Sequence, residues 1–275
     1  MHWTLQCKSK NVACMLTRWR NMHSGKRLSI LLGILIVLGL ITGILSSVPA
    51  LEKPDYLQRL SKMAGQVYFA VFAQALMAVT YVSIACLMVP LLKRGSEGLA
   101  IAYFGFRIVG AAFLFAGIAT LLLLLFVSEK YALLAHSPLD DRTLGAVVIQ
   151  MELFAEMARM VRDWLNHVAM VLPWAMGGLL MFLGLQSMRI VPAWIYLWGF
   201  IASGLTLLAT LLLMLNIIQI VSAAYMLMNA PMALLEISFS FWLFLEGFPE
   251  GPAGSIVELE KTGKGARGAG QYSDD

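Results

Sequence analysis

The sequence predicts an all-α fold, a polytopic membrane helical bundle of about six transmembrane helices. Three observations predict it. Hydrophobic residues make up 60% of the 275 residues and charged residues only 13%, with a mean hydropathy of +0.78; a soluble domain carries about 25% charge. A water-soluble fold of this composition lacks the polar groups to clothe its surface. The apolar residues also gather into runs of about 20, the length that crosses a hydrocarbon core of roughly 30 Å. Finally, Lys and Arg fall between those runs with a consistent bias to alternate sides.

The elements follow in order. Residues 1–27 form a basic tail holding Lys8, Lys10, Arg18, Arg20, Lys26 and Arg27 and no acid. The first span, 28–48, is free of charge. A signal peptide shares the basic start, and Ser46, Ser47 and Ala50 resemble a cleavage site. The run nevertheless exceeds the usual apolar core of about 7–15 residues. Further spans are predicted at about 66–92, 100–128, 165–185, 194–218 and 225–245. Together they make a membrane domain over 28–248, followed by a disordered tail over 249–275 rich in Gly and Ser.

The connection before the fourth span holds an amphipathic segment at about 147–164. Apolar Val147, Met151, Phe154, Ala158, Val161 and Leu165 recur at helical spacing, with Glu152, Glu156, Arg159 and Asp163 on other faces. It is predicted as an extramembrane extension of the fourth helix, because no Pro or Gly interrupts the chain from Gln150 to Trp164. A helix lying on the outer leaflet is the alternative.

With the N-terminus inside, the cytoplasmic segments hold the six tail residues, Lys93, Arg94, Arg189, Lys261, Lys264 and Arg267. The other side holds Lys53, Arg59, Lys62, Lys130, Arg142, Arg159 and Arg162. The expectation is a multi-pass membrane protein with both termini cytoplasmic. Cys7, Cys14 and Cys86 are an odd count without tight spacing, which predicts free thiols. With His2 and His23 the first two match no zinc pattern, so no metal is expected.

Two ionisable residues fall deep within spans, where a charge costs about 2.5–3.5 kcal/mol at mid-helix on insertion scales. Arg107 lies roughly 11 Å into the third helix and Glu236 roughly 15 Å into the sixth from the same side. The matched depths predict an interhelical ion pair. The alternatives are a ligand-facing or proton-coupled polar centre, or two unpaired residues. Asn166, His167, Asn216 and Asn229 fall near the opposite ends of their helices and form a candidate vestibule, though ordinary hydrogen bonding between helices fits them too. Gly39 and Gly43 make a GxxxG in the first helix, read as internal packing with a homodimer as the alternative. Pro231 precedes Glu236 by five residues and can kink that helix.

Met228-Asn-Ala-Pro-Met-Ala-Leu-Leu-Glu236, followed by Phe241-Trp-Leu-Phe-Leu-Glu-Gly-Phe248, resembles the closing helix of an uncharacterised bacterial family, the one carrying the domain of unknown function 4386. Phe104-Gly-Phe-Arg107 and Met188-Arg-Ile-Val-Pro-Ala-Trp194 are similar to its third helix and its fourth turn. The likeness covers about 26–248 and departs at Glu246, where the family pattern suggests a base. It implies six helices in a bacterial membrane and no activity.

HExxH, GxSxG, a phosphate-binding glycine loop and CxxC are all missing from the sequence, and no catalytic residue or cofactor is predicted. The expected partner is the lipid bilayer, with no nucleic acid and an unidentified small-molecule ligand. The sequence thus predicts an integral membrane protein whose role no motif names. The functional alternatives are a carrier or permease for a small solute or lipid using Arg107 and Glu236, a non-catalytic membrane partner subunit, and an intramembrane enzyme.

Overall fold

An apolar run in lipid must close its backbone hydrogen bonds internally, and a helix does so within one segment. The computed structural model describes residues 25–134, 140–220 and 222–249. Helix α1 is Gly25–Leu45. Short α2, Tyr56–Leu60, lies between 3-10 turns at Pro49–Glu52 and Ser61–Met63. Then come α3 (Ala64–Leu92), α4 (Glu97–Leu134), α5 (Asp141–Trp164), α6 (Val171–Met188), α7 (Ala193–Met214) and α8 (Ala223–Leu245). Among the described residues there is no strand. Six helical stretches are long and apolar enough to cross a membrane, so this is a multi-pass membrane protein. The basic residues before Gly25, with Cys7, Cys14, His2 and His23, and most of the C-terminal tail lie outside the described residues.

The spanning helices form a ring. Helix α3 packs on α4, α4 on α6, α6 on α7 and α7 on α8. Helix α1 closes the circle: Gly33 abuts the Phe244 ring of α8, and Gly39 abuts Tyr81 of α3. At the end of the bundle where α1 begins and α8 finishes, Lys26 Nζ donates to the carbonyls of Phe244 (3.0 Å) and Leu245 (2.8 Å). Beside it, the Phe248 N–H donates to Ser29 Oγ at 2.9 Å. Gly247 turns the chain here with φ +73, and a Cβ on it would lie 2.9 Å from Ser29 Oγ. Both the dihedral and the close approach require glycine. Glu246, the departure from the family pattern, accepts from Trp242 Nε1 at 2.8 Å.

Helix α7 ends at Met214, short of the predicted 218. The cause is Asn216, whose φ of 54 is left-handed. Its N–H donates to Leu213 O, and the next N–H, of Ile217, donates to Leu212 O, both at 2.9 Å. This double closure is a Schellman motif with Asn in the usual glycine position. The apolar run continued past it and hid the stop.

A second core occupies the other end of the bundle. Gly43, near the end of α1, faces Met77 of α3, which clusters with Leu114 of α4. Helix α4 runs on for another twenty residues to Leu134, about 30 Å further. There Leu51, Leu57, Leu60, Val67, Leu121, Leu124 and Ala155 pack together as a cap separate from the ring. Helix α5 lies along it and continues into α6 through one π-helical turn, Leu165–Ala169.

Candidate functional site

Five of the six spanning segments converge on one cavity of about 40 Å³. Leu32 and Ile36 come from α1, Ile84 and Met88 from α3, Arg107 from α4, Trp174, Gly178, Met181 and Phe182 from α6, and Met232, Leu235, Glu236 and Phe239 from α8. Its wall is apolar except at Arg107 and Glu236, the two residues singled out by their depth. Space of this size holds about three waters.

Arg107 is 8% exposed. Its guanidinium carbon stands 4.8 Å from the centre of the Trp174 ring and 5.4 Å from that of Tyr103, a contact worth about 2 kcal/mol when desolvated. Gly177 makes room for it: a Cβ there would lie 3.3 Å from Arg107 Nε. Glu236 is half-buried across the cavity. Among the described residues, ion pairs closer than 4.0 Å are Arg59–Asp55, Lys93–Glu97, Arg159–Glu156 and Arg162–Asp163. Arg107 and Glu236 face the same space and do not close such a pair. Tyr81, also deep in the bundle, lies within electrostatic range of both.

The surroundings of the cavity leave polar atoms unpaired. Arg107 Nε, Tyr103 OH and Trp174 Nε1 are buried without a hydrogen-bond partner, as are Ser203 Oγ and Thr206 Oγ1 of α7. Ser203 sits directly behind the cavity wall, since a Cβ at Gly178 would lie 3.1 Å from its Oγ. An unpaired buried polar group costs about 1–3 kcal/mol.

Among the described residues no hydrogen bond joins the four candidate vestibule residues to one another, and two of them bond to Tyr225. Asn166 Oδ1 accepts from Gln74 Nε2 of α3 at 3.0 Å, and the same nitrogen donates to Leu114 O at 2.9 Å. His167 Nδ1 shares a 3.2 Å hydrogen bond with the Tyr225 hydroxyl of α8. Asn229 donates back to Tyr225 O on its own helix at 2.8 Å. Asn216 caps α7 in an exposed turn. The π-helical turn shifts Asn166 and His167 out of the register an unbroken α-helix would give them. Gly39 and Gly43 meet Tyr81 and Met77 of α3, so their close approach is used within the chain.

Sequence reasoning did not find Trp174, Tyr103 or Tyr81, which surround Arg107. Aromatic residues within apolar spans carry no signal of their own. The one clue was the small pair Gly177-Gly178, because small residues mark where helix backbones approach closely.

No curated protein and no solved structure matches the chain. A family described as Domain of unknown function (DUF4386) matches residues 31–247, which takes in most of the first spanning helix, all of the other five and both residues of the polar centre. This chain belongs to the DUF4386 family.

Proposed function

We propose that the ring is a carrier for a small solute or lipid, recognised at the cavity between Arg107 and Glu236. One observation carries this reading: a guanidinium and a carboxylate face one cavity at mid-bundle without closing an ion pair. A pair serving only to lock two helices would gain most by direct contact, since two charges are desolvated in either case. The proposed setting is a bacterial inner membrane with both termini in the cytoplasm. It is supported by twelve Lys and Arg in the segments on the side of the termini, against seven on the other.

Accessibility tests the carrier. In a chain with Cys7, Cys14 and Cys86 replaced by Ser, Arg107→Cys and Glu236→Cys should react with a membrane-impermeant maleimide from at least one side. No labelling from either side would end the carrier reading.

A second reading, a non-catalytic membrane partner, draws on a different surface. Ile149, Leu153, Met157, Met160 and Trp164 are all exposed along one stripe of α5, spaced as a helix-packing seam. A photo-crosslinker at 153 that couples only to lipid would remove this second reading.

A further inference from the structure

We infer that the cavity takes a small zwitterion, with its anionic group toward Arg107 and its cationic group toward Glu236. The inference rests on the carrier reading and names the chemistry of its solute.

The distribution of polar groups supports it. One side of the site is dominated by donors: the guanidinium of Arg107 and the Trp174 N–H line the cavity, with Arg107 Nε and Trp174 Nε1 buried without partners. The other polar residue lining the cavity, Glu236, offers an acceptor. A singly charged anion would satisfy Arg107 and be repelled by Glu236. A singly charged cation would meet the reverse arrangement. An apolar solute would leave both sets of groups unsatisfied. A solute bearing both charges answers both walls, and discrimination of this kind comes from the repulsive element as much as the attractive one.

Depth and size narrow the class. Arg107 is ten residues from Glu97 at the start of α4, and Glu236 is nine from Leu245 at the end of α8, which puts each about 15 Å along its helix. Both positions lie inside the apolar stretch of their helices, away from the polar ends. The cavity of about 40 Å³ admits a solute occupying the place of about three waters. Met88, Met181 and Met232 line it, and unbranched methionine side chains let such a wall adjust to what enters. The rest of the solute therefore faces a small apolar surface.

The test uses the full chain in nanodiscs of phosphatidylglycerol, so that no zwitterionic headgroup is present. Three probes are titrated calorimetrically: L-alanine, propionate, which lacks its amine, and ethylammonium, which lacks its carboxylate. L-Alanine should bind at least tenfold more tightly than either. Glu236→Gln, close to isosteric, should erase the advantage over propionate, and Arg107→Gln the advantage over ethylammonium. The wild-type comparison stands even where Arg107→Gln does not fold. Equal binding of the three probes by the wild-type chain, or binding of none, while the separate cysteine variants at 107 and 236 do label, overturns the zwitterion and leaves the carrier standing. Failure of labelling from both sides overturns the two together.

Discussion

The ring and the cap are built from the same apolar residues, but around the cavity the ring leaves buried polar atoms unpaired where the cap pairs its own. In the cap, Ser128 Oγ accepts from the Ser61 N–H at 2.8 Å and donates to Leu57 O. Tyr131 OH donates to Glu152 at 3.0 Å, and Arg159 pairs with Glu156 at 2.7 Å while reaching Leu51 O at 3.3 Å. In the ring, Tyr103, Arg107, Trp174, Ser203 and Thr206 each keep a buried polar atom unpaired. Among the described residues the other such atom, Arg162 Nε, lies at the end of α5, beside the junction with the ring. A segment stabilised by its own contacts has no reason to leave donors empty. The contrast fits the proposed division, with architecture in the cap and recognition in the ring.

The contrast breaks most forcefully at the joint between the two. A Cβ on Gly117 of α4 would lie 2.2 Å from Asn166 Oδ1 and 2.8 Å from Gln74 Nε2. Gly117→Val should therefore drive α4 off the π-helical turn and separate Gln74 from Asn166. A loss of roughly 3 kcal/mol or more is expected from overpacking plus a broken buried hydrogen bond. Thermal unfolding in detergent measures it, and a change within error would mean that the joint does not couple ring and cap.

A smaller and more local effect is expected inside the cap. Ser128→Ala leaves the Ser61 N–H and the Leu57 carbonyl without their partner, worth about 1–3 kcal/mol. Amide exchange should quicken around α2 and the start of α3, while labelling at positions 107 and 236 stays unchanged. Parallel changes in both regions would show that ring and cap are one cooperative unit.

At the far end of the ring, Lys26→Met keeps the apolar stem and removes the charge that closes the last turn of α8. About 1 kcal/mol of stability should go, the usual worth of a cation at a helix C-terminus. The loss should appear in the midpoint of thermal unfolding, and alanine binding should not follow it, because Lys26 is remote from the cavity.

How much of this was legible beforehand depended on the physical signal. Six spans are written in long apolar runs holding at most one charge each, since only the bilayer makes such runs stable. Arg107 and Glu236 stood out for the same reason: a charge at that depth needs an explanation. Their relation did not, because helical depth fixes the level of a residue and not the direction it faces. The end of α7 was hidden because Leu215, Ile217 and Ile218 extend the apolar run past the turn at Asn216. The cap escaped too, since a helix of 38 residues such as α4 reads as a long span until its neighbours show where the others stop.

The smallest expected effect concerns the start of α5, on the cap side. The Thr143 hydroxyl and backbone N–H hold the Asp140 carboxyl below its ordinary 3.8, the backbone bond measuring 3.1 Å. A carboxyl whose folded value is depressed contributes stability above its unfolded value and loses it as the pH falls through the folded one. Asp140 is exposed, so only the first turn of α5 should respond. Amide exchange over residues 141–144, corrected for intrinsic rates, should accelerate as the pH drops below 3.8. Asp140→Asn keeps an N-cap acceptor without a titrating proton, and should flatten that dependence. A response that spread into the ring would place the two regions under one control and undo the division between them.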